Sequence, residues 1–531
     1  MKRRIWFEVA RLFSFALAVC LMMNSFGQRA EVFAQEPKLD LLIKGGSVID
    51  GSGSNAFRAD VGIRGDRIVF IGDAAKSGMS ATRTIDATGL IVAPGFIDPH
   101  THTFEDLSNP KRKSNENYLM QGVTTVITGN DGGGPVHVRE VLDRWQQQGI
   151  GTNAALLVGQ GTARRLVMGM SDAEPTAKQL EEMRALVRQA MDEGALGMST
   201  GLYYAPGSYA KTEEVIELAK IAAERGGIYD SHMRDESSYS IGLLGSIQET
   251  IRIGREAGIP VHISHIKALG TDVWGKSKDA VAMINKARAE GIDVTADQYP
   301  YTASGTSITA SLVPRWAEVG GNAELLKRID DAQVRPRLIQ EMEANLKRRG
   351  GPESLLITSA RDKSFVGKTL GALAKQWNKS PIEAALEIIK AGGAGVASFN
   401  MNEKDIENFM KQPWVMTGSD GSEGHPRKYG TYPRKLREYV FNKKIITLPF
   451  AIRASSAMVA ETFHIPERGQ IKVGNYADVI VFDEKTVADR ATYEQPELMA
   501  TGMKFVIVNG KLVVEDGKYT GALAGRAIRK Q

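Results

Sequence analysis

Two histidines separated by one residue, His100 and His102 in "DPHTHTF", are the chain's most chemically suggestive pair. An imidazole offers a nitrogen lone pair to a divalent cation, and residues i and i+2 of a strand face the same side, so both rings could hold one ion. Four more metal-competent side chains stand out: Asp131 in "TGNDGGGP", His232 in "YDSHMRDE", His265 in "HISHIKALG" and Asp420 in "TGSDG". Each closes or follows an apolar run of the kind that forms a buried strand. Asp131 has a plainer reading as well, because an Asp between Asn and Gly commonly bonds its own backbone in a turn. His137, His262 and His464 do not share this placement, and His262 has the opposite strand parity to His265, which marks it as a packing or supporting residue.

Elements that alternate strand and helix would have to bring these residues together. The apolar runs "LIVAPGFID", "GVTTVIT", "NAALLVG", "ALGMST", "GGIYDSH", "PVHISH", "GIDVTAD" and "WVMTGSD" are separated by amphipathic text such as "TAKQLEEMRALVRQAMDEG". Eight βα units predict an α/β chain closed as a (β/α)8 TIM-type barrel, with all six side chains at the end that carries active sites. An open doubly wound sheet is the alternative, but no glycine fingerprint for a dinucleotide follows the first strand. The gap from Gln298 to Pro413 reads as an insertion of about residues 304–412. Short alternating segments at both ends, such as "LDLLIKGGSVIDGSG" and "MKFVIVNGKLVVEDGKY", predict a small β-sandwich domain built from residues 37–90 and 465–531. The barrel would occupy residues 91–464 between them.

The 531 residues are 42% hydrophobic and 24% charged, enough for a large core and a second, smaller unit. The formal charge of +5 includes +3 from the first 34 residues, and the remainder has no basic tract that would suit nucleic acid. Those 34 residues have the layout of a secretory signal: Lys2-Arg3-Arg4, an apolar core from Leu12 to Met23, and small residues ending at Ala34. Cleavage near Ala34 would release an exported protein, periplasmic or secreted. The apolar core is shorter than the ~20 residues of a bilayer span, so no stable membrane span is expected in the mature chain. Cys20, the only cysteine, lies in that leader, which excludes disulfides and thiolate metal sites from the mature protein.

The segments "APGFIDPHTH", "GLYYAPGSYAKTEEVIELAKIAAERGGIYDSHMRDE", "ISHIKALG", "TGSDG" and "HPRKYGTYPR" resemble the N-acyl-D-amino-acid deacylase (D-aminoacylase) branch of the amidohydrolase superfamily. "LIKGGSVIDG" and "GQIKVGNYADVIVFD" are similar to that superfamily's β-domain segments, so the likeness runs from about Leu39 to the C-terminus. It implies a zinc-dependent hydrolase acting on a small-molecule N-acyl amino acid. By position, His100, His102 and Asp420 would form a looser metal site, and His232 and His265 a tighter zinc site. The branch usually has cysteine in "GNCG" where this chain has Asp131. A carboxylate is a harder ligand, can bridge two ions, and would admit Mn2+ or Co2+ beside Zn2+. The lysine that many amidohydrolases carboxylate on the fourth strand has no counterpart in "ALGMSTG".

The resemblance also implies roles. Asp420 would act as general base and then general acid. Arg427 would grip the substrate carboxylate through paired hydrogen bonds, with Lys267, Tyr204, Tyr299 and Tyr301 lining the pocket. A dipeptide with a C-terminal D-residue presents the same amide and carboxylate. Competing readings are another amidohydrolase reaction (cyclic-amide hydrolysis or deamination) and a metal-free, non-catalytic binding protein of the same shape. Acyl group, stereochemistry and oligomeric state are not encoded in these motifs.

Overall fold

The computed structural model describes residues 38–530. The proposed leader and Cys20 lie outside the described residues. The fold is mixed α/β of TIM type. Strands Phe96–Thr101, Val123–Thr128 and Asn153–Leu156 pair in parallel. A second parallel set runs Val158–Gly159, Gly197–Gly201, Ile228–His232, Val261–Ile263, Val294–Gln298 and Val415–Thr417. Thr101 makes a parallel bridge to Gly421, so the first strand of one set meets the segment after the last strand of the other. These strands are buried along their length, as in a parallel sheet covered on both faces.

The intervening helices cover the strands with one apolar face. Ala177–Asp192 starts at a capping box in which Thr176 Oγ1 accepts the Gln179 N–H while Gln179 Oε1 accepts the Thr176 N–H. Its Met183, Val187, Ala190 and Met191 are buried, at helical spacing. Cutting Met183 to Ala would cost about 2–5 kcal/mol.

The text "LIVAPGFID", read as one strand, is two. Ile91–Pro94 belongs to another sheet, and Phe96–Thr101 starts the parallel set. Gly95 makes the crossing possible: a Cβ there would meet Thr124 Oγ1 at 2.3 Å. Ile91–Pro94 pairs in parallel with Leu39–Val48 and antiparallel with Val479–Phe482, joining both ends of the chain in one nine-stranded sheet. Its core includes Ile43, Val61, Val92, Val479 and Ile507.

The inserted segment has a sheet and a core of its own. Ala303–Ser307, Ala394–Phe399 and Leu355–Ala360 pair antiparallel. Helices including Arg335–Arg348 and Pro381–Lys390 bury Leu338, Met342, Leu386 and Ile389 against it. Among the described residues no helix is long and apolar enough to cross a membrane.

Candidate metal centre and active site

The parallel strands deliver the sequence-derived side chains to one end. His100 lies inside Phe96–Thr101 and His232 closes Ile228–His232. Asp131, His265 and Asp420 follow Thr128, Ile263 and Thr417 by two or three residues. His102 differs from expectation: its strand ends at Thr101, so it sits beyond the pleat with a side chain 40% exposed. It nevertheless reaches the same cluster.

Two groups of ligand atoms form, and they share Asp131. One joins His100, His102, Asp131 and Asp420; the other joins Asp131, His232 and His265; within each, the atoms lie within 4.8 Å of one another. Asp131 Oδ1 is 3.5 Å from His100 Nε2, 3.4 Å from His232 Nδ1 and 3.6 Å from His265 Nε2. Its Oδ2 is 3.5 Å from His102 Nε2. The separations exceed hydrogen-bond length, and Asp131 Oδ1, His100 Nε2 and both His232 nitrogens have no hydrogen-bond partner. Buried polar atoms normally have partners, so inward-facing orphans on three segments of the chain fit a site shaped for cations.

Backbone strain marks the same residues. Asp131, His265 and Asp420 adopt φ of 56°, 37° and 46°, in the left-handed region that costs a non-glycine residue of order 1–3 kcal/mol. The glycine run after Asp131 lets its loop tuck under the next strand: a Cβ on Gly134 would lie 1.9 Å from the Leu157 carbonyl oxygen. Asn130 anchors the loop by donating to Pro99 O and Asp230 Oδ2, both at 3.0 Å.

The electrostatics follow from this crowding. Burial acts against charge on His100, but Asp131, Asp420 and Asp297 push it up to about 10. Burial likewise opposes protonation of His265, as does Lys267, yet Glu236 and Asp420 push it up to about 9. Burial lowers His232. The Asp131 carboxyl is held well below the ordinary range, since His100 and His232 outweigh its burial. A potential that holds protons on buried imidazoles also favours a divalent cation.

Sequence reasoning missed the supporting acids. Asp98 Oδ1 accepts the N–H groups of His100 and Ser419, both at 3.1 Å, and burial pushes its carboxyl up to about 7. Asp297 Oδ2 is 2.9 Å from His262 Nε2 and 3.8 Å from His100 Nδ1, which gives His262 its supporting place. Glu236 Oε1 accepts from Lys267 Nζ at 2.6 Å and lies 3.0 Å from His265 Nδ1. Lys267 Nζ is also 2.7 Å from that Nδ1, so Lys267 and Glu236 together pack against one edge of the His265 ring. His265 Nε2, on the opposite edge, faces Asp131 Oδ1 at 3.6 Å. Strand parity offered a signal for Asp98 and Asp230, each two residues before a candidate histidine.

A cavity of about 470 Å3 opens over the cluster. Tyr204, Tyr299, Lys267 and Arg427 line it, as expected. Tyr301 does not: its ring packs edge-on against His425 with centroids 5.6 Å apart, behind the wall. Arg427 is fully buried, 2.9 Å from Asp420 Oδ2 and 3.2 Å from Ser422 Oγ, with its guanidinium 4.5 Å above the Tyr299 ring. Its Nε and Nη1 have no partner.

Parallel strands that gather four imidazoles and two carboxylates at the floor of one cavity define a metal-dependent hydrolase of the α/β class. Residues 83–514 match the model of the amidohydrolase family, and the chain belongs to that family. It is 35% identical over 518 residues to a D-aminoacylase of Alcaligenes xylosoxydans xylosoxydans, covering 92% of this chain and 98% of the relative. A solved D-aminoacylase described by its binuclear metal center superposes with a TM-score of 0.80 at 36% identity, over 93% of this chain and 100% of the other. The N-acyl-D-glutamate deacylase of Bordetella bronchiseptica, solved with zinc and a phosphonate mimic of the tetrahedral intermediate, gives 0.78 at 32% identity, over 93% and 100%.

Proposed function

We propose that this chain hydrolyses the amide bond of N-acyl-D-amino acids, or of dipeptides with a C-terminal D-residue, to a carboxylate and a free amino acid. The observation that carries this is the pairing of two ligand groups around Asp131 with a buried, half-satisfied guanidinium, Arg427, in the same cavity. His100, His102 and Asp420 would hold one ion, His232 and His265 the other, and Asp131 would touch both. Zinc suits this donor set, and the carboxylate admits Mn2+ or Co2+. A bound divalent ion supplies Lewis acidity, polarising the scissile carbonyl and lowering the pKa of water towards ~7.

The chain's own residues do the rest. Arg427, through Nε and Nη1, would hold the substrate carboxylate, with Tyr299 beneath its plane and Lys267 nearby. Asp420 takes a proton from the attacking water and returns it to the departing amine nitrogen. Glu236 and Lys267, packed against His265 Nδ1, would hold the ring with Nε2 towards the centre.

The architecture belongs to the same proposal. The parallel strands close as a barrel between Phe96 and residue 464 through Thr101 and Gly421, with the insertion at about 304–412. The two end segments, 38–94 and 465–530, pack as a sandwich, and the precursor is exported after cleavage near Ala34.

The test is turnover by metal-replete protein of matched N-acyl-D-, N-acyl-L- and hydantoin substrates, with elemental analysis. Selective release of D-amino acids is expected. Hydantoin opening without deacylation would replace this reading with a cyclic-amide one.

A further inference from the structure

The cavity has a second buried guanidinium. Arg349 ends the inserted segment's helix Arg335–Arg348, is 1% exposed, and lines the wall above the metal cluster. Its Nε donates to Ser311 O and its Nη2 to the Tyr203 hydroxyl, each at 3.2 Å. Nη1 has no partner, and the hydroxyl of neighbouring Tyr239, whose ring centroid is 5.8 Å from the guanidinium, is likewise unsatisfied. The other fully buried or nearly buried arginines behave differently: Arg164 pairs with Glu214, Arg468 with Asp478 and Arg427 with Asp420. Among the described residues, Arg349 alone of these four has only neutral oxygens around it.

A buried charge without a counter-ion is costly, and a guanidinium keeps its charge at any ordinary pH. Surrounding it with neutral groups inside a substrate cavity is economical only if the counter-ion arrives with the substrate. Arg427 already stands beside Asp420 at the metal end, where the amino-acid carboxylate belongs.

We propose that Arg349 is a specificity-determining residue that binds a second carboxylate on the substrate, so that the preferred substrates are dianions. This rests on the deacylase reading of the site. The second carboxylate could be on the amino-acid side chain or at the far end of the acyl group; Arg349 recognises the same chemistry in either case. Tyr239 would donate its free hydroxyl to the same anion.

The experiment uses metal-loaded full chain and two matched pairs: N-acetyl-D-glutamate against N-acetyl-D-glutamine, and N-succinyl-D-alanine against N-butyryl-D-alanine. One dianion is expected to exceed its neutral partner by roughly 30-fold or more in kcat/KM, and which pair responds locates the anion. Arg349→Met should abolish that ratio, whereas Arg349→Lys, which keeps the charge but loses the planar fork, should retain part of it. Calorimetric binding of the same four compounds gives the ratio independently of turnover. No preference for either dianion in the wild type, or a ratio unchanged in Arg349→Met, overturns the proposal and leaves deacylation standing. Tight dianion binding with no amide cleavage in any pair would uphold Arg349 and sink the deacylase reading instead.

Discussion

Asp420 and Arg427 form a buried ion pair, Oδ2 to Nη2 at 2.9 Å, so the group assigned to proton transfer is tied to the group assigned to substrate recognition. Although burial raises the Asp420 carboxyl, Arg427, His265 and His102 outweigh it and hold the carboxyl far below its ordinary range. A substrate carboxylate that engages Arg427 would weaken this hold and make Asp420 a better base as the substrate arrives.

Arg427→Met should therefore cost far more with N-acyl-D-amino acids than with their carboxamides. Removing one partner of a buried charge pair is worth about 2–5 kcal/mol. Steady-state kinetics on a matched acid and amide checks it. Equal losses on both would make the arginine a structural counter-ion of Asp420.

Asp420→Asn should lower kcat by about 10²–10⁴-fold while most of the metal remains, because four histidines and Asp131 still surround the centre. Turnover measured beside elemental analysis separates the two effects. Wild-type turnover with full metal would move the proton-transfer role elsewhere.

Asp131 separates ligand from turn. Its carboxylate faces four imidazoles, so Asp131→Asn should lose metal and activity together, since a neutral amide is a poor ligand. Asp131→Cys should bind zinc and discriminate more strongly against Mn2+ and Co2+. If Asp131→Asn keeps its metal in elemental analysis, the residue serves only the turn.

Lys435 supplies a pH-dependent term in stability. It is 2% exposed and its Nζ donates to Thr417 Oγ1 at 2.7 Å. Burial, opposed only in part by Asp297, brings it from 10.5 down to about 7. Between those values the unfolded chain binds a proton that the folded one releases, so this group makes stability rise with pH through that window. Lys435→Met should be more stable than wild type at pH 6, by an amount on the order of a few kcal/mol, and the gap should narrow by pH 9.5. Urea unfolding at both values tests this. A variant equally weakened at both would mark Lys435 as a packing anchor.

The six candidate ligands were legible because each ends an apolar run, and alternating runs have few ways to pack. The break at Gly95 was hidden: "IVAP" before the glycine and "FI" after it are equally apolar, and only the approach of Thr124 demands the glycine. The insertion's sheet escaped notice because "ASGTS" is short and polar and "LLITSA" stands amid helical text. Arg349 reads as an ordinary charged residue, and Glu236, though part of the "HMRDE" text of the resemblance, carries no role there, since nothing local to their sequence records that folding buries them in the cavity wall. Tyr301 shows the converse, a residue placed in the pocket by resemblance and turned behind it by His425.

The nine-stranded sheet also sets a schedule for the growing chain. Arg67 cannot pair with Glu467 until 400 further residues have been synthesised, and Ile91–Pro94 waits almost as long for Val479–Phe482. Asn153 waits for Asn509 and for the backbone N–H of Arg526, which lie 356 and 373 residues downstream. Contacts so distant in sequence slow folding, and the early strands spend that interval with an unpaired edge that another copy can take. A chain shortened by the last few dozen residues would keep every candidate metal ligand and still be the form most exposed to aggregation during translation.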